Sequence, residues 1–307
     1  MANSALFTSA TFNTNLLPEQ AVVLDANGII RDGGLTNPAQ LGFNTATLIP
    51  FVEGGLAANG YGNVVYDVDA QFPNATFFWG LSVAVTGQNG TTISVDNSIR
   101  GTTGNDVVYD VQGDNITNTR SGDDLVINGA GNDAIKTGGG NDIVFSWTGD
   151  DIVSLGSGDD QAFLGGGNDN ARGGGGADFI NGDDGDDCIE GNGGHDTLLG
   201  SGGQDTLLGG GGRDRLDGGT GNDVMTGGRG KDTFVFAVGY EEDLITDMES
   251  RDKIELDTGL GVSAFADLSG IAQQIGTTLV FRFLSGDDLV LEDTTLADLS
   301  ASNFDFV

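Results

Sequence analysis

Residues Gly173-Gly174-Gly175-Gly176-Ala177-Asp178-Phe179-Ile180-Asn181 decide the fold, because one nine-residue pattern runs on from them in both directions. Gly stands at every ninth position from Gly104 to Gly230, fifteen times without a slip. Two residues after each comes an acid: Asp106, Asp124, Asp133, Asp142, Asp151, Asp160, Asp169, Asp178, Asp187, Asp196, Asp205, Asp214, Asp223 and Asp232, with Asn115 the one exception. Two further on lies a mainly apolar column that includes Val108, Val126, Ile135, Val144, Ile180, Leu198, Leu216 and Phe234. Chance does not hold three columns in phase over so long a run.

The physics of the unit follows from its residues. One apolar residue in nine cannot bury itself, so the units must stack and pool that column into a common core. Glycine clusters supply backbone with positive φ and hence tight loops. The segment after each acid, such as Ile143-Val144-Phe145, is β-branched or aromatic and reads as a short strand. Loop, strand, loop, strand then winds into an all-β, two-sided parallel roll with eighteen residues per turn. Acids eighteen apart stack on one edge, so Asp178 pairs with Asp196, while Asp187 lies on the opposite edge with Asp169 and Asp205.

Two columns of carboxylates at a strand spacing of about 4.8 Å repel one another unless cations lie between the rungs. The donors on offer are carboxylates and loop carbonyls, all hard oxygen, and no thiolate or imidazole recurs. That set suits calcium, which takes 6–8 oxygens in flexible geometry. The candidate ligands are the fourteen aspartates named above. Beside them stand the loop glycines Gly173, Gly174, Gly176, Gly182, Gly185, Gly191, Gly194, Gly200, Gly203, Gly209, Gly210, Gly212, Gly218, Gly219, Gly221, Gly227 and Gly230.

The pattern resembles the Gly-Gly-x-Gly-x-Asp-x-U-x nonapeptide of RTX (hemolysin-type) calcium-binding proteins. Its fullest copies are residues 173–181, 209–217, 218–226 and 227–235. The resemblance implies a calcium-loaded parallel β-roll. The earlier units depart from it: Asp110-Val111, Asn128-Gly129 and Ser146-Trp147 stand where a Gly-Gly pair is expected. From Lys231-Asp232-Thr233-Phe234-Val235-Phe236 to Asp305-Phe306-Val307, the sequence is similar to the C-terminal module of serralysin-type secreted metalloproteases. That likeness implies a cap on the roll, an uncleaved secretion signal and export through a type I transporter. The protease domain of that family is not seen.

Composition agrees with a cation partner. The 307 residues carry 46 acids against 12 bases, a net charge of −34, and 54 glycines. Such a chain does not seek nucleic acid or an anionic membrane. Roughly a dozen calcium ions would reduce the net charge to about −10. The single Cys188 forms no internal disulfide and reads as a packed small side chain. No apolar run is long enough for membrane insertion, and Met1 to Leu16 lacks the features of a Sec-type leader.

The flanks are less informative. Three domains are expected: a β-rich N-terminal segment over 1–100, the roll over 101–236, and the C-terminal β cap with its signal over 237–307. Hairpins are expected over residues 21–30 and around Gln88-Asn89-Gly90, where Asn-Gly separates alternating runs. Residues 62–68 echo 104–111 without one acid. The only histidine, His195, lies in the repeat, which removes a Ser-His-Asp triad or a zinc-protease site from the first hundred residues. The acids there, from Glu19 to Asp96, show no spacing that singles out a catalytic pair. The expected protein is therefore secreted, calcium-binding, non-enzymatic and structural, with self-assembly or a surface polysaccharide as its further partner. A small secreted enzyme or effector, or a calcium-dependent carbohydrate-binding module, is the alternative.

Overall fold

The computed structural model describes residues 98–307 together with the strands Thr76–Trp79, Val85–Thr86 and Thr92–Ile93. The expected hairpin at 21–30 and the echo at 62–68 lie outside the described residues. The chain falls into two compact units, Met1–Ile152 and Val153–Val307, so both contain coils of the repeat.

In the first unit, β1 (Thr76–Trp79) pairs in parallel with β5 (Asp106–Gln112), and β7 (Leu125–Ala130) and β9 (Ile143–Phe145) continue that sheet. β2 (Val85–Thr86) and β3 (Thr92–Ile93) pair antiparallel, as the Asn-Gly signal between them predicts. β4 (Ser98–Arg100), β6 (Ile116–Asn118) and β8 (Ala134–Gly139) form the second sheet, each strand eighteen residues from the last. The coiling therefore begins at Ser98, before the first repeat glycine. In β7 and β9, Leu125, Val126 and Ile127, and likewise Ile143, Val144 and Phe145, are all buried, so both faces of these strands are covered.

The second unit holds sixteen strands, β10 (Ile152–Ser157) to β25 (Phe304–Phe306). One sheet runs β11-β13-β15-β17-β19-β21-β25, from Gln161–Gly166 through Phe179–Asp184, Thr197–Gly202, Arg215–Thr220, Thr233–Phe236 and Lys253–Leu256 to β25. The other runs β10-β12-β14-β16-β18-β20-β24, through Asn170–Gly176, Cys188–Gly194, Thr206–Gly212, Val224–Gly230 and Glu242–Ile245 to Asp288–Leu291. The register is constant: Ile180 lies beside Leu198, and Leu198 beside Leu216. Ile180, Ile189, Leu198, Leu207, Leu216, Met225 and Phe234 are fully buried, so one apolar side chain per strand makes the core between the two sheets. The strands alternate half-exposed and buried, the period of a sheet with one covered face.

The strict nine-residue period ends at Phe234, but the winding does not. β20 still pairs in parallel with β18, Leu244 beside Val224, and β21 with β19, Ile254 beside Phe234, each now twenty residues apart. β24 and β25 then pair in parallel with β20 and β21. An antiparallel meander, β22 (Ala272–Ile275), β23 (Thr278–Arg282) and β24, and a one-turn helix, α1 (Phe265–Leu268), close this end. Aromatic rings fill the closure: Phe236 lies 5.5 Å from Phe283, and Phe304 lies 5.5 Å from Phe265 and 6.1 Å from Phe281.

The second residue of each loop carries the strain of the turn. From Gly174 through Asp183, Asn192, Ser201, Gly210 and Gly219 to Gly228, it has positive φ in every repeat. Asp, Asn and Ser replace Gly at three of these positions because short polar side chains tolerate the left-handed region best. In the first unit Arg120 and Trp147 occupy the same conformation, with φ of 79° and 69°. A side chain added at Gly210 would meet the Asn192 carbonyl oxygen at 2.2 Å, whereas its neighbour Gly211 has 3.8 Å of room. Gly210→Ala should therefore lower stability in calcium by about 2 kcal/mol or more, and Gly211→Ala should stay within about 0.5 kcal/mol of wild type. Thermal denaturation of the two variants followed by circular dichroism checks the contrast.

Candidate metal centre

The aspartates of the repeat point into the edges of the roll and are almost wholly buried; Asp178 is 2% exposed and Asp232 0%. From Asp178 to Asp232 each is held in one way. Its Oδ1 accepts the backbone N–H of the aspartate one coil earlier: Asp178 N–H to Asp196 Oδ1 is 2.9 Å, and Asp196 N–H to Asp214 Oδ1 is 3.0 Å. On the opposite edge Asp187 N–H to Asp205 Oδ1 and Asp205 N–H to Asp223 Oδ1 are both 2.8 Å. The structure thus brings Asp178 and Asp196 together and places Asp187 on the other line, with Asp169 and Asp205.

The second oxygen is the informative one. Oδ2 of Asp178, Asp187, Asp196, Asp205, Asp214, Asp223 and Asp232 is buried without a hydrogen-bond donor. It faces the first glycine of its own loop. A Cβ built on Gly173 would lie 2.3 Å from Asp178 Oδ2 and 3.0 Å from the Gly191 carbonyl oxygen of the next coil. The same convergence recurs at Gly182 with Asp187 and Gly200, at Gly191 with Asp196 and Gly209, and at Gly200 with Asp205 and Gly218. Carboxylate oxygen and main-chain carbonyl oxygen thus look into one space that a side chain would fill. A buried carboxylate left in this state is strongly disfavoured unless a cation joins it. Among the described residues no three carboxylate, imidazole or thiolate side chains converge, so carbonyls must complete any cation shell. An all-oxygen set of this kind fits calcium.

The remaining glycines on the candidate list shape the loops. Gly176, Gly185, Gly203, Gly212 and Gly221 have positive φ, and a side chain on Gly194 or Gly230 would strike the carbonyl of the preceding coil.

Electrostatics records the same tension. The ordinary carboxyl value is 3.8, yet burial pushes Asp187, Asp196 and Asp223 up to about 6. Burial, with the charges of Asp223 and Asp187 adding to it, pushes Asp205 up to about 7. In the first unit burial raises Asp124 and Asp133 to about 7 and Asp142 to about 6.

The first unit fills the cradle differently. Thr102 gives its N–H to Asp106 Oδ2 at 2.8 Å and its hydroxyl to Oδ1 at 2.9 Å. Thr119 and Thr137 stand at the first-glycine position and set hydroxyls beside the carboxylates of Asp124 and Asp142. Asp110, Asn128 and Ser146, at the same position on the other edge, are fully buried. Asp133 and Asp151 continue their line, with Asn115 N–H bound to Asp133 Oδ1 and Asp133 N–H to Asp151 Oδ1, both at 2.7 Å.

Three features escaped sequence reasoning. Asp243 and Asp252 extend the two lines beyond the strict period, accepting the N–H of Asp223 and Asp232 at 3.0 Å, and burial lifts Asp243 to about 8. The signal was present as Asp243-Leu244-Ile245 and Asp252-Lys253-Ile254, nine apart, but a two-residue insertion shifted it out of phase. The second feature is an outer line of hydrogen bonds from the position before each aspartate. Asn132 N–H donates to Asp114 Oδ1, Ala177 N–H to Asp159 Oδ1 and Gln204 N–H to Asp186 Oδ1, at 2.8–2.9 Å. His195 joins it by accepting the Arg213 N–H on Nδ1 at 2.9 Å. Asn and Asp recur in that column of the sequence, and that recurrence was the available sign. The third is Asp217, whose buried carboxylate is hydrogen-bonded to Tyr240.

Comparison with known proteins agrees with this geometry. Residues 94–126, 127–162, 163–198 and 199–234 match the RTX calcium-binding nonapeptide repeat in four copies. This part of the chain is an RTX β-roll, and such repeats bind calcium. Among solved structures, the extracellular lipase LipA from Serratia marcescens is similar at 17% identity and a TM-score of 0.32, over 75% of this chain and 42% of the lipase. The AlgE6R3 subunit of the Azotobacter vinelandii mannuronan C5-epimerase is similar at 30% identity and a TM-score of 0.24, over 42% of this chain and 78% of that one. The chain thus spans less than half the length of the lipase. No curated protein matches.

Proton linkage gives a test. A carboxyl whose folded value lies above 3.8 favours the folded state while protonated, and that contribution is lost as pH rises through the folded value. Without metal, the roll should be more stable at pH 5 than at pH 8, the loss running from just above 3.8 up to the folded values of about 6 to 8. In millimolar calcium the order should reverse, because protons compete with the cation. Melting temperatures with chelator and with calcium at both pH values check the reversal.

Proposed function

We propose that the protein is a secreted, calcium-binding structural component, without enzymatic activity, that folds on meeting calcium after type I export and then serves in an extracellular matrix, surface layer, filament or adhesive contact. One observation carries the reading: lines of buried aspartate oxygens with no donor of their own, which from Asp178 to Asp214 converge with a glycine carbonyl of the next coil. Asp178, Asp187, Asp196, Asp205, Asp214, Asp223 and Asp232 would hold the cations, together with carbonyls such as those of Gly191, Gly200, Gly209, Gly218 and Gly227. Asp243 would extend the set. When bound, calcium supplies the positive charge that makes burial of these carboxylates favourable.

Folding and location are then coupled. Cytosolic calcium is too scarce to fill sites of extracellular affinity, about 10⁻⁴–10⁻³ M, so the chain stays exportable inside and folds outside. Among the described residues no helix is long and apolar enough to cross a membrane. In excess chelator the repeat should lose most of its β signal by circular dichroism and regain it on calcium addition; a full β spectrum in chelator refutes the reading. Sedimentation in millimolar calcium should show assembly at modest protein concentration, whereas an enzyme or carbohydrate-binding module would remain monomeric.

The C-terminal segment is proposed to act as both cap and signal. β25 lies in parallel beside β21, the Asn303 side-chain amide donates to the Asp252 carbonyl at 3.0 Å, and Lys253 pairs with Asp305. Deleting Asn303–Val307 should retain the protein in the producing cells. Refolded in vitro, the truncated protein should keep its calcium-induced β signal but melt lower, since Phe304 leaves the aromatic closure. Normal export of the truncated chain would leave the segment a cap alone.

A further inference from the structure

The outer column of the second unit changes sign along one edge. The constant register of β15, β17, β19 and β21 aligns Thr197, Arg215, Thr233 and Lys253. The residues two before these are His195, Arg213, Lys231 and Arg251, which therefore stack one above another at about 4.8 Å per coil. Arg229, near the end of β18 and two residues before Lys231, adds to the row. All five are exposed. Arg251 pairs with Glu249, but among the described residues Arg213, Arg229 and Lys231 enter no ion pair. A basic row of this kind is unexpected in a chain of net charge −34 with only 12 basic residues.

The opposite edge of the same unit is its electrostatic complement. The register of β14, β16, β18 and β20 stacks Asp186, Gln204, Asn222 and Glu242 in the corresponding column. A shallow depression lies there, lined by Asp186, Gln204, Thr220, Asn222 and Glu241 together with loop glycines. That column holds carboxylates at its two ends, Asp186 and Glu242, with uncharged Gln204 and Asn222 between; Glu241 adjoins the second, and none of the five is basic.

From this opposition of charge we propose that the basic row, Arg213 to Arg251 with Arg229, docks on the edge bearing Asp186, Glu241 and Glu242 in a second copy of this chain. The proposal rests on the reading of the protein as a structural component and specifies how its copies join. Row and depression lie on different edges, so the contact is head-to-tail and leaves each copy with one free edge of either kind. Such an interface extends openly rather than closing on a dimer. Opposite charges across such a contact give orientation more than bulk affinity, and salt screens them.

The test is sedimentation velocity in millimolar calcium on three proteins, each first shown by circular dichroism to fold in calcium. Wild type should assemble, and assembly should weaken as salt is raised. The variant Arg213→Glu, Arg229→Glu, Lys231→Glu should associate about a hundredfold more weakly or worse, since like charge then faces like. Adding a chain carrying Glu241→Lys and Glu242→Lys should restore association with that variant. Wild type that stays monomeric overturns the structural reading and this interface with it. Wild type and the triple variant assembling equally overturns the interface alone. Wild type that stays monomeric yet binds a polyuronate, and loses that binding in the triple variant, assigns the row to an anionic polysaccharide and overturns docking of a second copy.

Discussion

Along one edge of the roll the N–H of each aspartate meets the carboxylate of the next at 2.9–3.0 Å, and the other oxygen of that carboxylate is sealed from water with no donor. Half of each carboxylate is thus satisfied by the fold and half is not. The satisfied half sets the spacing of the coils; the unsatisfied half makes the spacing unfavourable without a cation. A core of one apolar side chain per strand is narrow, and a backbone so rich in glycine loses much entropy on ordering. The hydrophobic contribution per coil is therefore small. The metal-free roll opposes its own charges, and a cation bound between the rungs would offset that opposition.

The fold was legible because its period is simple. Gly, Asp and an apolar residue recur at fixed offsets, and each has one physical use: a loop that needs positive φ, an edge donor, and a core position. Where the period broke, reading became harder for identifiable reasons. Asn115 interrupts the acid column without leaving it. One insertion of two residues, between Asp232 and Asp243, hid Asp243 and Asp252, although their Asp-x-apolar signature is intact. Residues at the position before each aspartate looked variable because Asn, Asp and His share no charge. They share instead an acceptor atom at one distance from the backbone, and only geometry reveals that equivalence.

The substitutions in the first unit follow the same logic. Thr119 and Thr137 stand in positions that later coils leave to glycine, and their hydroxyls lie where the later coils open a space. Thr102 engages both oxygens of Asp106. Oδ2 of Asp124 and of Asp133 nevertheless stays buried without a donor, and these coils accept Arg120 and Trp147 in a backbone conformation that suits glycine better. Both units thus carry buried Oδ2 atoms without a donor, and the first adds a threonine hydroxyl beside Asp106, Asp124 and Asp142.

The coil contains two nonapeptides, and this introduces a parity into the molecule's history. Inserting two repeats between Asp187 and Asp196 would lengthen the roll by one rung and return every downstream residue to its own edge and sheet. Inserting one would carry everything after it across the roll. Arg213 and Lys231 would then stand on the edge that now bears Asp186 and Glu242, and opposite charges would share a column instead of facing outward on separate sides. The sequence can therefore grow or shrink silently only in steps of eighteen, and an odd step would erase the polarity of its two edges while leaving each repeat unchanged.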